Sequence, residues 1–423
     1  MKSLSYLNKY FIKYKWRMLL GVLFIICSNY FGVKMPLFVK DTVDELLGNQ
    51  TITSFDSAIT ISLKIGLIYM LLSLGKGFFL FLTRQTIIIT SRFIEFDLKN
   101  EIYDQYQKLN FNFYKRNNTG DLMNRISEDV SQVRMYLGPG IMYTINLVVL
   151  FTMIITEMIA IDVKLTFFVL LPLPIMSYLI YKVSSKMNAL SAEVQEQQSF
   201  ISTLVQESFS GIRVIKAYTQ EKQNRKQFNK NVDDYKTKQM KLVKVVSLFM
   251  PTIIFLIGLS TVLSIYLGGT MTYTKEISLG EILAFVFFVN SLTWPFASVG
   301  WVTSIIQRAA ASQERINEFL EEEPEIQNTN LGEFEFKGKI EFKNVSYTYP
   351  NSNIKAADNI SFSILAGQTL GIVGKTGSGK TTILNLLMRQ FEPEEGQVLI
   401  DGVNVNSINL SKFREQSAVI PQE

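Results

Sequence analysis

Histidine is missing from all 423 residues, and cysteine occurs once, as Cys27 within an apolar run. A single thiol forms no internal disulfide, so the chain is not stapled and its redox compartment stays open. Excess charge is scarce as well: 42 Lys and Arg against 37 Asp and Glu leave a formal +5, too little to argue for nucleic acid as a partner. What is abundant is apolar character, 48% of residues, and most of it lies before about residue 305. There it forms runs of the length a bilayer demands. A chain this long exceeds the usual single domain, so two units are expected.

The start, Met1 to Arg17, sets Lys2, Lys9, Lys13, Lys15 and Arg17 among Tyr6, Tyr10, Phe11, Tyr14 and Trp16. No small-residue cleavage site follows it, which argues against a secretory signal and for a surface-lying helix with aromatic anchors. Six apolar stretches come next: Met18 to about Phe38, Ile59 to Leu82, Ile141 to Ile161, Leu165 to Tyr181, Val245 to Thr270 and Ile282 to Ile306. Basic residues crowd the second connection, from Arg84 to Arg134, and the fourth, from Lys182 to Lys244. The first, Asp41 to Ser57, has none, and the third and fifth offer only Lys164 and Lys275. The positive-inside rule therefore places the N-terminus and the long connections in the cytoplasm.

Each long connection has about fifty residues or more and few helix breakers, enough for helical arms reaching well beyond a bilayer at about 1.5 Å per residue. The turns are expected at Asn117-Asn118-Thr119-Gly120-Asp121 and at Ser210-Gly211. Ionisable or polar groups in or near the apolar runs, Asn29, Tyr30, Lys34, Lys40 and Glu157, are functional suspects. Snorkelling to an interface accounts for the lysines equally well. Phe285, Phe287, Phe288, Trp294 and Phe296 suit either an amphipathic cargo or packing against lipid.

Beyond Gln307 the pattern changes. Gln307 to Glu323 is amphipathic and charged, Pro324 ends it, and Glu325 to Gly338 reads as a polar linker. Alternation at Ile340, Phe342 and Val345 predicts a strand, Ile360 to Ile364 a second, and the apolar run Gln368 to Val373 a third. That third strand feeds Gly374-Lys375-Thr376-Gly377-Ser378-Gly379-Lys380-Thr381-Thr382, which fits G-x-x-x-x-G-K-[ST], and a helix from Ile383 to Met388 follows. Glycines in such a loop let successive N–H groups point at a polyphosphate, while the helix aims its positive end at the same place. Lys380 would reach the β and γ phosphates, and the Thr381 hydroxyl would hold Mg²⁺.

With these residues in view, the whole chain resembles an ATP-binding cassette (ABC) exporter half-transporter. Five separated segments carry the resemblance in the family's order: Phe113 to Val133 (FYKRNNTGDLMNRISEDVSQV), Gly211 to Glu221 (GIRVIKAYTQE), Gln307 to Ile326 (QRAAASQERINEFLEEEPEI), Phe342 to Pro350 (FKNVSYTYP), and the phosphate loop with Gly396 to Gly402 and Val419 to Gln422. The implied fold is an all-α transmembrane domain of six helices with long cytoplasmic extensions, followed by an incomplete α/β P-loop nucleotide-binding domain. Its divisions are expected at 1–17 for the surface helix, 18–323 for the transmembrane domain with cytoplasmic loops near 83–138 and 182–244, 324–338 for the linker and 339–423 for the start of the nucleotide-binding domain. The resemblance makes Tyr349 the aromatic that stacks on adenine and Gln422 the amide that senses the γ phosphate and joins Thr381 on Mg²⁺. It makes the segments near Lys115 to Thr119 and Ile215 to Gln220 the coupling helices. ATP and Mg²⁺ are the implied cofactors, and a second half-transporter subunit, identical or not, is the implied partner. A hydrophobic or amphipathic substrate, drug or lipid-like, would be exported across the plasma membrane by alternating access.

The family's pattern breaks off after Gln422. An LSGGQ-type signature, the Mg²⁺-associated aspartate, the catalytic glutamate and the switch histidine do not appear in these 423 residues, and the lack of any histidine fixes the last point without alignment. A catalytic residue is therefore expected outside the given chain, which reads as a shortened version of a longer half-transporter. Two other readings keep the same motifs: an importer built on the exporter-like fold, and a membrane regulator that binds ATP without transporting.

Overall fold

The computed structural model describes residues 2–48, 55–328, 330, 332–349 and 352–420. Two compact units emerge, one built from 7–94 with 133–310, the other from 2–6, 95–132 and 311 onward. The helices in order are α1 (Asn8–Lys13), α2 (Lys15–Gly48), α3 (Phe55–Thr83), α4 (Ile89–Lys108), α5 (Phe111–Arg116), α6 (Thr119–Asn124), α7 (Val130–Met135), α8 (Ile141–Ile161), α9 (Val163–Leu170), α10 (Pro172–Ser210), α11 (Ile212–Ala217), α12 (Glu221–Tyr273) and α13 (Leu279–Leu320). Among the described residues six helical spans are long and apolar enough to cross a membrane, and each contains one of the six apolar stretches. The chain is a multi-pass membrane protein.

Within the membrane unit, α2 packs along α3 and α10 along α12. Lipid tails are as apolar as these side chains, so close packing rather than water exclusion holds the helices together. Gly75 shows the tolerance: a Cβ there would lie 2.9 Å from the Phe31 ring. Phe285, Phe288 and Leu292 of α13 are fully buried against Met158, Val169 and Met176. Phe285 and Phe288 are thereby removed from any cargo-facing role, whereas Phe287 and Trp294 stay exposed.

The ionisable suspects are largely occupied by one another. Lys34 meets Glu157 at 3.4 Å, Lys40 meets Glu281 at 3.1 Å, and the Asn29 amide donates to Asn146 at 2.9 Å. Near Lys40, Ser278 and Glu281 form a reciprocal capping box that opens α13: Ser278 N–H donates to Glu281 at 2.9 Å, and Glu281 N–H to Ser278 Oγ at 3.1 Å. Asp44 of α2 accepts from Ser278 Oγ at 2.6 Å and from Gly280 N–H at 3.0 Å. One carboxylate thus ties the end of α2 to the start of α13.

Prolines fall where the helices tolerate them. Pro172 stands at the first position of α10, where its missing N–H has no helical partner to lose. The turn between α8 and α9 is the single residue Asp162, whose carboxylate accepts from Leu165 N–H at 2.6 Å and caps α9. The arms run as long helices, and the chain breaks at Asn117–Asn118 and at Gly211 as expected. Further breaks at Leu109–Asn110 and at Tyr218–Gln220 enclose the short helices α5 and α11 at the tips. Three π turns interrupt the helical runs, at Arg84–Ile88, Arg125–Asp129 and Tyr136–Gly140.

The second unit holds β1 (Ile340–Tyr349), β2 (Ile354–Ile364), α14 (Lys380–Leu387), β3 (Glu395–Ile400), β4 (Val403–Asn404) and α15 (Leu410–Glu415). The sheet is antiparallel in the order β2-β1-β3-β4, with Phe342 opposite Phe362 on one side and Val398 on the other. Asp401 and Gly402 both have positive φ, the conformation a two-residue type I′ hairpin requires between β3 and β4. Leu386, Phe391, Val398, Ile400 and Phe413 form the buried core. The segment read as a polar linker also contributes apolar contacts, since the Phe336 ring meets Phe413 at 5.5 Å.

One expectation fails here. Gln368 to Val373 is not a strand but irregular chain, with Val373 97% exposed. A parallel strand buried between neighbours is stable only when both sides bond to it, and among the described residues no strand pairs with this run.

Candidate nucleotide site

The loop from Gly374 to Gly379 leads directly into α14 without a strand before it. Its curvature comes from glycine: Gly377 has φ 81° and Gly379, the residue capping α14, has φ 89°. An added Cβ at Gly379 would overlap the Ala356 carbonyl of β2. Lys380 folds back into the loop, and its ammonium donates to the carbonyls of Gly374 and Lys375, each at 2.8 Å, with Ser378 Oγ at 3.5 Å. Ser378 N–H donates to Lys375 O at 3.2 Å. Among the described residues the other amides from Lys375 to Gly379 have no backbone acceptor, which is the donor set an anion uses.

Lys375, Thr376, Gly377, Ser378 and Thr381 are exposed, so the Thr381 hydroxyl is accessible to a metal-bound phosphate. Thr382 points the other way and is buried. Its hydroxyl meets the Tyr349 hydroxyl at 3.0 Å, which joins the end of β1 to the first turn of α14. Tyr349 is half-buried, edge-on to Phe391 at 5.6 Å. Its face carries the Lys115 ammonium at 4.5 Å, and that ammonium lies also 5.1 Å from Phe111 and 5.0 Å from Phe391. Three rings around one cation make a favourable cation–π cluster. Sequence reading passed over Phe111 and Phe391; the i, i+4 spacing of Phe111 and Lys115 on α5 was the available signal.

The loop and the hydroxyl of Thr381 fit a nucleotide triphosphate with Mg²⁺: a positive ammonium, accessible amides and an exposed hydroxyl converge at a helix start. Gln422 lies outside the described residues. Among the described residues no cluster of three or more acidic or cysteine side chains could hold a metal by itself.

Around the site two ionisable groups are displaced. Burial pushes the Tyr347 hydroxyl up to about 12, with Tyr349, Glu325 and Glu394 adding to the shift. That hydroxyl is buried and has no hydrogen-bond partner. Burial, then the neighbouring Arg389, lowers Arg414, whose guanidinium donates at 3.0 Å to the carbonyls of Met388 and Arg389 and closes the end of α14.

Comparison with known proteins gives two family matches. The ABC transporter transmembrane region matches residues 18–296, and the ABC transporter domain matches residues 357–423. The probable multidrug resistance ABC transporter ATP-binding/permease protein YheI of Bacillus subtilis is 36% identical over 74% of this chain and 54% of its own length. The multidrug resistance-like ATP-binding protein MdlA of Escherichia coli is 30% identical over 77% of this chain and 55% of its own. An ATP-dependent lipid A-core flippase of Aromatoleum aromaticum is 27% identical over 77% and 54% respectively. The chain therefore spans about half the length of these three relatives.

Proposed function

The chain belongs to the ABC transporter family, and from that premise we propose that it forms the membrane-spanning part and the opening of the nucleotide-binding domain of an exporter half-transporter. Paired with a second half-transporter subunit, identical or not, it moves a hydrophobic or amphipathic substrate, drug or lipid-like, out of the cell. The observation that carries this reading is one chain in which six membrane-length helices precede a phosphate loop with its lysine already at the loop's centre. Names of relatives that speak of multidrug resistance and of lipid A-core flipping support the cargo class. Basic residues on the long connections support a cytoplasmic site and a plasma-membrane location. The divisions at 1–17, 18–323, 324–338 and 339–423 belong to the same proposal.

Each residue then has a task. The loop amides and Lys380 hold the phosphates, Thr381 and Gln422 hold Mg²⁺, and Tyr349 receives the adenine. When bound, Mg²⁺-ATP supplies the phosphoryl transfer whose free energy drives transport. The helices do work only because the nucleotide binds the closed arrangement of two subunits more tightly than the open one. Binding and positioning are the contribution of residues 1–423. The tips α5 and α11 are the elements placed to pass that closure on to the membrane helices.

Transport by the intact protein in vesicles of known sidedness tests the reading. Mg²⁺-ATP should drive an amphipathic dye out of the cytoplasmic compartment, and Lys380→Ala should abolish it. Movement in the opposite direction would replace the exporter with an importer. ATP binding without any Lys380-dependent movement would favour a regulator.

A further inference from the structure

Between α10 and α13 lies an open cavity of about 340 Å³. Its two ends differ in chemistry. Ile180, Phe296 and Val299 line one end, while Ser184, Ser185, Asn188, Thr303, Ser304 and Gln307 follow along the same two helices. From Ile180 to Asn188 the rise is about 12 Å. Both helices run towards the arms, so the polar end is the one nearer the long connections.

Polar side chains within membrane-spanning helices normally find partners in the protein. Here they do not. Among the described residues Ser184, Ser185, Asn188 and Gln307 make no hydrogen bond to the protein, and none of the twelve residues of the lining is charged. Thr303 donates to Val299 O at 2.9 Å, which leaves its oxygen facing outward as an acceptor. Arg308, beyond the lining, donates to Ser304 Oγ at 2.5 Å and leaves the serine proton for another acceptor. The charged pairs of the membrane helices, Lys34 with Glu157 and Lys40 with Glu281, neutralise each other and involve neither α10 nor the α13 residues of the cavity.

We propose that this cavity is a binding site for an uncharged amphipath whose head offers several hydroxyl or amide groups, such as a glycosyl or polyol head on an alkyl chain. The chain lies against Ile180, Phe296 and Val299, and the head takes the unpaired groups of Ser184, Asn188 and Gln307. A cationic head finds no carboxylate there and has Arg308 near the rim. An anionic head would have to be desolvated beside hydroxyls and amides, with no cation in the lining. Gly300 keeps the space open, because its nearest side-chain neighbour is Ser184 Oγ, 3.6 Å from where a Cβ would stand. The assignment rests on the transport reading for its biological sense, since it narrows that reading's cargo to one head-group class.

Three dansyl-labelled alkyl probes of equal chain length test it, with glucoside, trimethylammonium and carboxylate heads. Each is titrated into the intact protein in phosphatidylcholine nanodiscs, and energy transfer from Trp294 and Trp301 is followed. The glucoside should bind at least tenfold more tightly than either charged probe. Asn188→Leu with Gln307→Leu should remove most of that preference, and Gly300→Leu should remove binding of all three. Ser184→Ala, a smaller change, should weaken the glucoside alone by severalfold. Retained nucleotide binding shows that each variant is folded, and if Gly300→Leu fails to fold, the other two variants decide. Equal or tighter binding of either charged probe, or a glucoside preference that survives the double substitution, overturns the proposal. Glucoside binding without ATP-driven movement of any probe would refute the exporter reading and leave this site standing; ATP-driven export with no head-group preference would do the reverse.

Discussion

Replacing Gly379 by alanine separates two kinds of strain in the phosphate loop. At φ 89° an L residue sits in the left-handed region, which costs about 1–2 kcal/mol. The new Cβ would also overlap the Ala356 carbonyl, a backbone atom of β2 that no rotamer change can move. Overpacking of this kind adds about 1–3 kcal/mol. If the loop keeps its shape only at that cost, nucleotide affinity falls by more than about 30-fold, the equivalent of 2 kcal/mol. Gly377→Ala isolates the first contribution, since its φ is 81° but no atom lies within 4 Å of the new Cβ. A loss of about 5- to 30-fold is expected there. Gly371→Ala is the control: it too has open space, and no positive φ. Titration of the intact protein with a fluorescent ATP analogue reads all three, with a thermal melt to confirm folding. Wild-type affinity in Gly379→Ala, or an equal loss in Gly371→Ala, would refute the reasoning.

Three further outcomes follow from the packing. Asp44→Ala removes both acceptors at the start of α13 and should lower stability by about 1–2 kcal/mol, seen as a reduced melting temperature in detergent, with Asp44→Asn less severe. Leu386→Ala, at a fully buried position, should destabilise the second unit by about 2–5 kcal/mol in urea unfolding. The raised Tyr347 hydroxyl favours the folded state fully below its ordinary value of 10.0, and that stability is lost as pH rises from there through about 12. Tyr347→Phe should remove this share of the alkaline loss and leave neutral-pH stability equal or higher, because it deletes a buried hydroxyl without a partner. Comparing urea midpoints of the two proteins in neutral and alkaline buffer checks it; identical pH profiles would count against the assignment.

The membrane helices were readable because lipid imposes a length and a polarity that composition alone reveals. Ile141 to Ile161 was delimited to the residue, since Gly140 and Asp162 bracket it. The arms were readable from their lack of breakers, but the short helices at their tips were not, because six residues carry too little periodicity to register. Gln368 to Val373 misled for the opposite reason: its apolar pattern specifies a strand only in company, and pairing is a property of neighbours distant in sequence. The phosphate loop was legible because its chemistry is local and its glycines are fixed by backbone conformation. Where Lys115 goes was not, since a cation between rings from α5, β1 and the segment after α14 is set by tertiary contact alone.

The π turn at Arg84–Ile88 leaves one residue more than an α-helix needs, and each residue of an α-helix advances the phase by about 100°. The lipid-facing side of α3 and the buried row Ile94, Leu98 and Ile102 of α4 are therefore indexed separately, although they stand on one continuous helical run. Losing a single residue within that turn would restore ordinary helix, swing the row through more than a quarter of a revolution and present it to water. The extra residue works as a keyway: it fixes the angle at which the arm is mounted on its membrane shaft, and the two other π turns set the same kind of angle along the returning run.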